Sequence, residues 1–458
     1  MSRRFDAIVI GAGQAGPALA GRITAAGMTV AVVERHLFGG TCVNTGCKPT
    51  KTLVASAYAA HLARRGAEYG VVTGEVRVDM GRVHARSQKI SADGRAGVEN
   101  WLRAMERCTV LTGHARFIGP RAIRVGDESL EADRIFINVG GRAAVPDMPG
   151  IADVPYFDNS SLLATSLLPR HLVVVGGSYI GLEFAQMYRR FGAEVTIIEK
   201  GPRLIGREDA ELSDAIRAML EAEGIAVRTG AECMSFAPHA DGVAATIDCT
   251  DGAPEVIGSH LLLAVGRRPN TDDLGLEAAG IAADPRGYIV VDDRLETNVA
   301  GVWALGDCNG RGAFTHTAYN DFEIVAANLL DHADRKVSDR IPAYALYTDP
   351  PLGRVGLGEA EAIAAGYRVL IGRRPMTQVG RAVEKDETLG LMKIVVDADT
   401  RKILGAAILG TGGDEAIHAV LDMMAGGGDV DTLARTMHIH PTVSELVPTI
   451  AGDLHPPT

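Results

Sequence analysis

The run FDAIVIGAGQAG, residues 5–16, places a short apolar segment directly before three glycines in the spacing G-x-G-x-x-G, at Gly11, Gly13 and Gly16. A helix-like stretch follows, and then a second apolar segment from Thr29 to Val33 that ends in an acid, Glu34. Strand, glycine turn, helix, strand and terminal acid is the order of a dinucleotide-binding βαβ unit. Such a turn brings backbone N–H groups close to a pyrophosphate at a helix N-terminus.

The same pattern recurs later in the chain. The apolar run His171 to Val175 leads into GGSYIG, residues 176–181, and a helix-like stretch and a strand then end at Glu199. In both copies the acid lies 23 residues after the first glycine, from Gly11 to Glu34 and from Gly176 to Glu199. Two complete units with the same offset predict two nucleotide sites in one chain.

The acid of the second unit bears on the choice of coenzyme. A carboxylate at the end of this strand accepts hydrogen bonds from a free ribose diol and repels a 2′-phosphate. Glu199 therefore favours NADH, whereas the cations Lys200, Arg203 and Arg207 that follow it leave NADPH possible.

Two cysteines, Cys42 and Cys47, lie in GGTCVNTGCKP, residues 39–49, a few residues past the first unit. Two thiols separated by four residues and placed beside a nucleotide cofactor can form a disulfide that accepts electrons from it. The remaining cysteines are scattered and predict small buried apolar side chains: Cys108, Cys233, Cys249 and Cys308.

The bulk composition excludes several classes of protein. With 46 basic and 57 acidic residues, the net charge of −11 provides no basic field for nucleic acid or for an anionic membrane. No stretch approaches the ~20 apolar residues needed to cross a bilayer. The glycines of the first turn interrupt the only apolar run that resembles a signal peptide, which predicts a cytoplasmic protein.

The 458 residues are too many for one core and predict three or four domains. The strand-like segment Arg134 to Val139, followed by prolines, marks a crossing into a second domain, and Leu261 to Val265 marks the return. From Ile341 onward, alternating apolar segments predict an antiparallel sheet with covering helices.

Over its full length the chain resembles the flavin-dependent pyridine nucleotide–disulfide oxidoreductases, the group of dihydrolipoamide dehydrogenase, glutathione reductase and mercuric reductase. The resemblance implies an α/β fold with two Rossmann-like domains, for FAD and for NAD, and a C-terminal α+β dimerisation domain. The matching motifs are residues 11–16, 39–51, 176–183, 266–270, 297–307 and 438–445. The expected domains are an FAD domain (1–148 and 269–340), an NAD(P) domain (149–268) and a dimerisation domain (341–458).

The resemblance also implies roles for individual residues. Cys47 is the flavin-side sulfur and Cys42 the outward sulfur. Lys51 and Glu183 form an ion pair beside the flavin, with an ordinary helix residue as the alternative for Glu183. Tyr179 covers the nicotinamide pocket, with core packing as its alternative. His316 has a cofactor role and a structural role as equal alternatives. The FAD set is Gly11, Gly13, Gly16, Glu34, Thr41, Lys51, Gly140, Asp307 and His316. The NAD set is Gly176, Tyr179, Gly181, Glu183, Glu199 and Gly266.

The run Met437 to Glu445 resembles the family's catalytic segment, in which a histidine, here His440, is oriented by a carboxylate, here Glu445. Histidine suits proton transfer because its unperturbed pKa lies near neutrality. In the family this segment comes from the other subunit, so the resemblance implies a homodimer whose active sites are shared across the interface. His438 is expected to be structural.

The predicted function is an FAD-dependent NAD(P)H:disulfide oxidoreductase. Electrons pass from NADH through FAD and the Cys42–Cys47 disulfide to a disulfide, a dithiol or a thiol-reactive oxidant. A mercuric reductase-like activity is an alternative, although the chain lacks the terminal cysteine pair that soft-metal transfer needs. Dihydrolipoamide dehydrogenase is another, although Thr45 and Lys48 are unexpected there. A non-catalytic, nucleotide-responsive flavoprotein subunit is the alternative from a different class. No resident metal is predicted.

Overall fold

The computed structural model describes residues 2–247 and 252–457. The first part of the chain, up to residue 143, forms strands and helices in alternation and then a run of short strands. Its strands are β1 (Ser2–Ile10), β2 (Val30–Glu34), β3 (Cys108–Thr112), β4 (Ala115–Gly119), β5 (Ala122–Val125), β6 (Glu128–Ile137) and β7 (Gly141–Ala143). Its helices are α1 (Ala15–Ala25), α2 (Gly40–Asn44), α3 (Cys47–Arg64) and α4 (Met80–Ala104).

The second part repeats the alternation of strand and helix. Its helices are α5 (Asn159–Leu163), α6 (Tyr179–Phe191) and α7 (Ala210–Ala222). Its strands are β8 (His171–Val175), β9 (Glu194–Ile198), β10 (Ala226–Arg228), β11 (Ser235–His239), β12 (Gly242–Thr246), β13 (Glu255–Gly258), β14 (His260–Leu263) and β15 (Arg267–Pro269).

The third part returns to the first sheet, and the fourth forms a sheet of its own. The third contains α8 (Leu276–Ala279), β16 (Val302–Ala304) and α9 (Thr315–Leu330). The strands of the fourth are β17 (Ala343–Leu346), β18 (Leu352–Gly356), β19 (Val369–Pro375), β20 (Leu391–Asp397) and β21 (Ile403–Leu409). Its helices are α10 (Glu359–Ala364), α11 (Gly380–Glu384), α12 (Gly413–Ala416), α13 (His418–Ala425), α14 (Val430–Arg435) and α15 (Val447–Gly452).

Two sheets built mainly of parallel strands form the centre of the fold, and in the first of them β5 pairs antiparallel with β6 and β4 antiparallel with β5. In the first, the strand order among the described residues is β3-β2-β1-β6-β5-β4, with β16 paired to β6. In the second, the order is β10-β9-β8-β14, and all its strands are parallel. Every residue of β2 is buried, as expected for a parallel strand covered on both faces.

Antiparallel elements complete the fold. The strands β11-β12-β13 form a small meander beside the second sheet, and β17-β18-β21-β20-β19 form the C-terminal sheet. The two crossing segments, β7 and β15, pair with each other. An α/β fold with two Rossmann-like domains and a C-terminal domain is therefore confirmed.

The topology places the glycine turns at one edge of each parallel sheet. β1 ends at Ile10 directly before the first turn, and β8 ends at Val175 directly before the second. The neighbouring strands β6 and β16 end at Ile137 and Ala304. Ligands of open α/β sheets bind outside the carboxyl ends of the strands, so this edge is where a site is expected.

Some local predictions differ from the structure. β6 begins at Glu128, well before the predicted Arg134, because its first half pairs antiparallel with β5. Among the scattered cysteines, Cys308 is buried and Cys108 half-buried, and burial raises their pKa values to about 12 and about 11. Cys233 is disulfide-bonded, so the prediction of a packing residue is wrong there. Cys249 lies outside the described residues.

Within residues 2–247 and 252–457, no helix combines the length and the apolar character that a membrane span requires.

Candidate active site

A large cavity of about 1990 Å³ lies at the carboxyl edge of both parallel sheets. Its wall takes in the two glycine turns, the cysteine loop and the start of α9. Most of the predicted site residues line it: Gly11, Gly13, Glu34, Thr41, Cys42, Cys47, Lys51, Gly140, Gly176, Tyr179, Glu183, Glu199, Gly266, Asp307 and His316. The structure thus brings together residues that are far apart in the sequence.

Gly16 and Gly181 do not line the cavity but lie where each helix crosses its own turn. A Cβ at Gly16 would stand 2.3 Å from the carbonyl oxygen of Gly11, and a Cβ at Gly181 would stand 1.9 Å from that of Gly176. No side chain fits at either position, so the two helices approach their turns as a pyrophosphate-binding unit requires. This close approach fits a dinucleotide at each turn.

The two acids, Glu34 and Glu199, occupy equivalent positions. One oxygen of Glu34 accepts a hydrogen bond from the N–H of Ala12 at 2.9 Å, and the other accepts one from His36 at 2.9 Å. The oxygens of Glu199 accept from the N–H groups of Gly177 and Gly201, each at 2.6 Å. Each acid therefore braces its own glycine turn and leaves only its remaining lone pairs for a ribose.

The two cysteines stand at the junction of α2 and α3. Both are free thiols, and Cys47 is the first residue of α3, where the helix dipole favours an anion. A hydrogen bond from the Cys42 thiol is the largest cause that lowers the pKa of Cys47 to about 6, while burial opposes it. The same bond and burial raise the pKa of Cys42. The two shifts thus favour the thiolate form at Cys47 and the thiol form at Cys42.

A second hydrogen-bond donor, the hydroxyl of a threonine, reaches the sulfur of Cys47. Oγ1 of Thr315, the first residue of α9, lies 3.2 Å from Sγ of Cys47 and lowers the pKa of that thiol further. The ammonium of Lys51 acts in the same direction through its charge. Two helix N-termini thus meet at one sulfur, although their segments are 268 residues apart in the chain.

Lys51 and Glu183 form an ion pair. Nζ of Lys51 lies 2.6 Å from Oε2 of Glu183, whose side chain is only 4% exposed. The second oxygen, Oε1, accepts a hydrogen bond from the N–H of Tyr347 at 3.0 Å. The ring of Tyr347 also lies under the ammonium, with 4.6 Å between Nζ and the ring centroid. The negative charge of the buried Glu183 carboxylate is therefore stabilised by the Lys51 ammonium at one oxygen and by the N–H of Tyr347 at the other.

Asp307 lies in a short turn after β16. Its carboxylate stands 3.2 Å from Nη2 of Arg267 on β15. The turn itself is held by the buried Asp321, which accepts hydrogen bonds from the N–H of Gly306 at 2.8 Å and from the amide of Asn309 at 3.0 Å. An acid fixed in this way at the carboxyl edge of the sheet can accept hydrogen bonds from hydroxyls of a bound ligand.

His316 lines the cavity, but its ring also has a structural partner. Nε2–H donates a hydrogen bond to the carbonyl oxygen of Ala343 at 2.6 Å. The ring stacks on Phe314 at a centroid distance of 5.4 Å. Burial lowers the pKa of His316, which keeps the ring neutral, as this hydrogen bond allows.

The cysteine loop is fixed by a residue of another segment. The side-chain amide of Asn159, at the start of α5, donates a hydrogen bond to the carbonyl oxygen of Thr45 at 2.7 Å. Thr45 lies between the two cysteines, and Asn159 is buried. This contact restrains the loop that carries the two cysteines.

His440 and Glu445 are absent from the residues that line the cavity in the described chain. Nδ1 of His440 lies 2.7 Å from Oε2 of Glu445, yet the histidine side chain is 80% exposed. The flanking Met437 and Ile439 are 95% and 78% exposed. The structure therefore forms the expected pair but leaves it, with apolar neighbours, on the surface of the single chain. The ring of His438 instead bonds the carbonyl oxygen of Ser444.

Sequence reasoning missed Thr315, Tyr347, Asn159, Arg267 and Asp321. Arg267 lies within the motif 266–270 but was given no role there, and the other four belong to no spaced motif because they reach the site through tertiary packing. The only hint was position: Thr315 precedes His316, and Arg267 follows Gly266.

Comparison with known proteins agrees with this geometry. The model of the pyridine nucleotide-disulphide oxidoreductase family matches residues 5–321, and that of the family's dimerisation domain matches residues 342–451. The probable pyridine nucleotide-disulfide oxidoreductase RclA of Escherichia coli is 35% identical over 96% of this chain and 97% of its own. A structure of RclA described as a Cu(II) complex of an HOCl-induced flavoprotein disulfide reductase aligns with a TM-score of 0.89, at 33% identity and over 99% of both chains.

Two other relatives carry different names. A dihydrolipoyl dehydrogenase of Thermus scotoductus is 35% identical over 99% of this chain and 98% of its own. A mercuric reductase of Streptomyces lividans is 33% identical over 96% and 94%. The family implies FAD and a nicotinamide nucleotide as cofactors, which the two glycine turns fit. The chain belongs to the pyridine nucleotide–disulfide oxidoreductases and is an FAD-dependent NAD(P)H:disulfide oxidoreductase that carries the family's dimerisation domain.

Proposed function

We propose that this enzyme is a homodimer that uses NADH to reduce a small disulfide or a thiol-reactive oxidant through Cys42 and Cys47. The observation that carries the proposal is the placement of Cys47 at the start of α3, with Oγ1 of Thr315 3.2 Å from its Sγ, which makes Cys47 the sulfur better placed to carry a negative charge. Bound FAD would accept a hydride from the nicotinamide and pass two electrons to the Cys42–Cys47 disulfide.

In this proposal the two sulfurs have different tasks. Cys47, with two hydroxyl or thiol donors and the start of α3 around it, rests as the thiolate beside the flavin. Cys42 attacks the acceptor. Because only a thiolate is a competent nucleophile, Cys42 must first lose its proton, and its raised pKa means that a base has to take it.

We assign that base to His440 of the second protomer. Within one chain the His440–Glu445 pair lies on the surface, outside the cavity, beside the exposed apolar side chains of Met437 and Ile439. A second copy would cover these side chains and bring the imidazole to the sulfurs of its neighbour. Glu445 orients the ring, so that the other nitrogen can take the proton of Cys42 and return it to a departing thiol.

The remaining site residues are assigned to the cofactors. The first glycine turn, Glu34 and Asp307 would hold FAD, with the Lys51–Glu183 pair beside its flavin. The second turn and Glu199 would hold the nicotinamide nucleotide, with Tyr179 at the wall next to it. The domain boundaries at 148, 268 and 340 and a cytoplasmic location remain predictions.

We propose NADH as the preferred coenzyme. Glu199 is fixed at the strand end by two backbone N–H groups and would repel a 2′-phosphate. Lys200 and Arg207 line the cavity nearby and oppose this effect. The ratio of kcat/KM for NADH to that for NADPH tests the assignment, and a clear NADPH preference would defeat it.

The cysteines of the cavity and the names of the relatives both favour a disulfide as the electron acceptor. Among the described residues that line the cavity, Cys42 and Cys47 are the only cysteines. This favours a disulfide as the substrate over a metal ion, which would need successive thiolates for its transfer. RclA, which covers nearly the same length, is described as a flavoprotein disulfide reductase induced by HOCl. Dihydrolipoamide and Hg(II) remain alternative substrates, because relatives of comparable identity are named dihydrolipoyl dehydrogenase and mercuric reductase.

The test begins with purified holoenzyme and NADH under anaerobic conditions. Flavin bleaching followed by a long-wavelength absorbance is expected in the wild type, and a protein that is not reduced would contradict the function. Turnover is then compared for lipoamide, oxidised glutathione, other small disulfides, Hg(II) and Cu(II). In Cys42→Ser, NADH should still reduce the flavin while turnover of the true acceptor disappears; unchanged turnover would show that the thiols take no part.

A further inference from the structure

A buried carboxylate and three aromatic rings meet beside the nucleotide half of the cavity. The rings are Tyr179 at the start of α6, Phe314 just before α9 and Tyr344 on β17. The ring of Tyr179 packs edge-on against Tyr344 at 5.5 Å and against Phe314 at 6.0 Å. Phe314 and Tyr344 stack face to face at 5.5 Å. Three parts of the fold therefore converge on one ring.

Glu208, which precedes α7, ties this group together. Its Oε1 accepts a hydrogen bond from the hydroxyl of Tyr344 at 2.7 Å and from that of Tyr179 at 3.3 Å. The residue is only 4% exposed. Hydrogen bonds to an ionised acceptor are stronger than those between neutral groups, so both phenols are held firmly.

The other oxygen of this carboxylate has no hydrogen bond in the described structure. Oε2 of Glu208 and Nη1 of Arg354 are buried and make no hydrogen bond, although the two atoms lie 3.9 Å apart as a long ion pair. A buried polar atom without a partner is costly. The carboxylate keeps this orientation because Oε1 is engaged with the two phenols, and it would turn toward Arg354 if that hold were weakened.

Tyr179 matters to the site because of its position on α6. It lies one helical turn before Glu183, on the same face, and both residues line the cavity. In the proposed function, a nicotinamide ring carried by the second glycine turn would lie against Tyr179 on its way to the Lys51–Glu183 pair. The free energy needed to move this ring therefore enters the free energy of nucleotide binding.

We propose that Glu208 and Tyr344 are positioning residues. They hold the ring of Tyr179 in the position seen in this structure, here called closed, in which it blocks the nicotinamide, and so they weaken nucleotide binding. The proposal rests on the proposed function, in which Tyr179 stands at the wall next to the bound nicotinamide nucleotide. Without the hydroxyl of Tyr344, the carboxylate turns toward Arg354 and Oε1 leaves Tyr179. The ring then moves at a lower free-energy cost, and the nucleotide binds more tightly.

The experiment is a titration of oxidised holoenzyme with NAD⁺, and with NADP⁺ in parallel, followed by flavin fluorescence. Tyr344→Phe keeps the stacked ring and removes only the hydroxyl. Its Kd should fall roughly 3- to 10-fold, less than for a short hydrogen bond to a charged group because the bond from Tyr179 to Glu208 is long at 3.3 Å, while kcat with saturating NADH stays within about two-fold. An unchanged or larger Kd would overturn the proposal.

The second variant separates positioning from a general structural effect. Tyr179→Phe should lower Kd by a similar factor. The double variant Tyr179→Phe/Tyr344→Phe should have the same Kd as Tyr179→Phe alone, because Tyr344 acts through Tyr179. Independent, additive effects would contradict this route. The matched control is Tyr188→Phe, which removes a buried hydroxyl farther along the same helix, where the ring stacks on Phe184; its Kd should equal that of the wild type.

These outcomes are distinguishable from a failure of the proposed function. If NADH does not reduce the wild-type flavin, the proposed function fails whatever the variants do. If NADH reduces it and Tyr344→Phe binds NAD⁺ like the wild type, only the positioning role fails.

Discussion

Replacing Thr315 with valine removes one hydroxyl from the redox centre and keeps the shape of the side chain. That hydroxyl lies 3.2 Å from Sγ of Cys47. A hydrogen bond to a charged acceptor contributes about 1.5–3 kcal/mol, and one pKa unit corresponds to about 1.4 kcal/mol. We therefore expect the pKa of Cys47 to rise by about one to two units. The bond from Cys42, the largest cause of the lowered value, remains in this variant.

The sign of the pH dependence follows directly. In the wild type the pKa of Cys47 is lowered to about 6, so the thiolate is present above that pH and disappears as the pH falls through it. In Thr315→Val the same transition moves upward, and at pH 7 the thiolate fraction falls from about nine-tenths to about half or less.

The assay is the rate of alkylation of reduced holoenzyme by iodoacetamide as a function of pH. Peptide mass spectrometry reports Cys47 separately from Cys42, and the long-wavelength absorbance of the reduced enzyme gives an independent titration. Thr315→Ser is the matched control, since it keeps the hydroxyl and should titrate like the wild type. If Thr315→Val also titrated like the wild type, or if Thr315→Ser shifted as far as valine, the assigned hydrogen bond would be wrong.

Three further outcomes are expected. Randomly mixed Cys42→Ser and His440→Ala protomers should regain about one quarter of wild-type turnover, because a shared site leaves one intact centre in each hybrid dimer; no recovery would place both residues in one protomer. Lys393→Met removes a 1% exposed ammonium that bridges three carboxylates and should cost about 3–5 kcal/mol, so an unchanged urea midpoint would refute this role. Gly16→Ala places a Cβ 2.3 Å from a carbonyl oxygen and should abolish FAD retention, unlike Gly97→Ala, where no atom lies within 4 Å.

The two nucleotide units could be recognised from sequence because their chemistry is local. In each glycine turn the backbone of the helix or of a neighbouring strand approaches too closely for a Cβ. The positions Gly11, Gly16, Gly176 and Gly181 must therefore be glycine, and their spacing is visible in the sequence. The cysteine pair was equally visible, since both sulfurs lie in one short segment.

The rest of the site depends on packing between distant segments. Thr315 reaches Cys47 only because α9 begins beside the cysteine loop, and Tyr347 reaches Glu183 only because β17, which it follows, ends there. Neither contact leaves a periodicity or a spacing that a single sequence reveals. The exposed His440 is a different case, because its predicted target lies on another protomer.

The bracing of Glu199 by Gly177 and Gly201 limits how the coenzyme choice of this enzyme could be redesigned. Exchanging the acid for a small neutral residue, to admit a phosphorylated ribose, would also remove the hydrogen-bond acceptor of Gly177 in the glycine turn and that of Gly201 in the loop after β9. A redesign that swaps only this side chain should therefore lose affinity for both nucleotides. One that succeeds must supply substitute acceptors for those amides, for instance from a serine or an asparagine in the same loop.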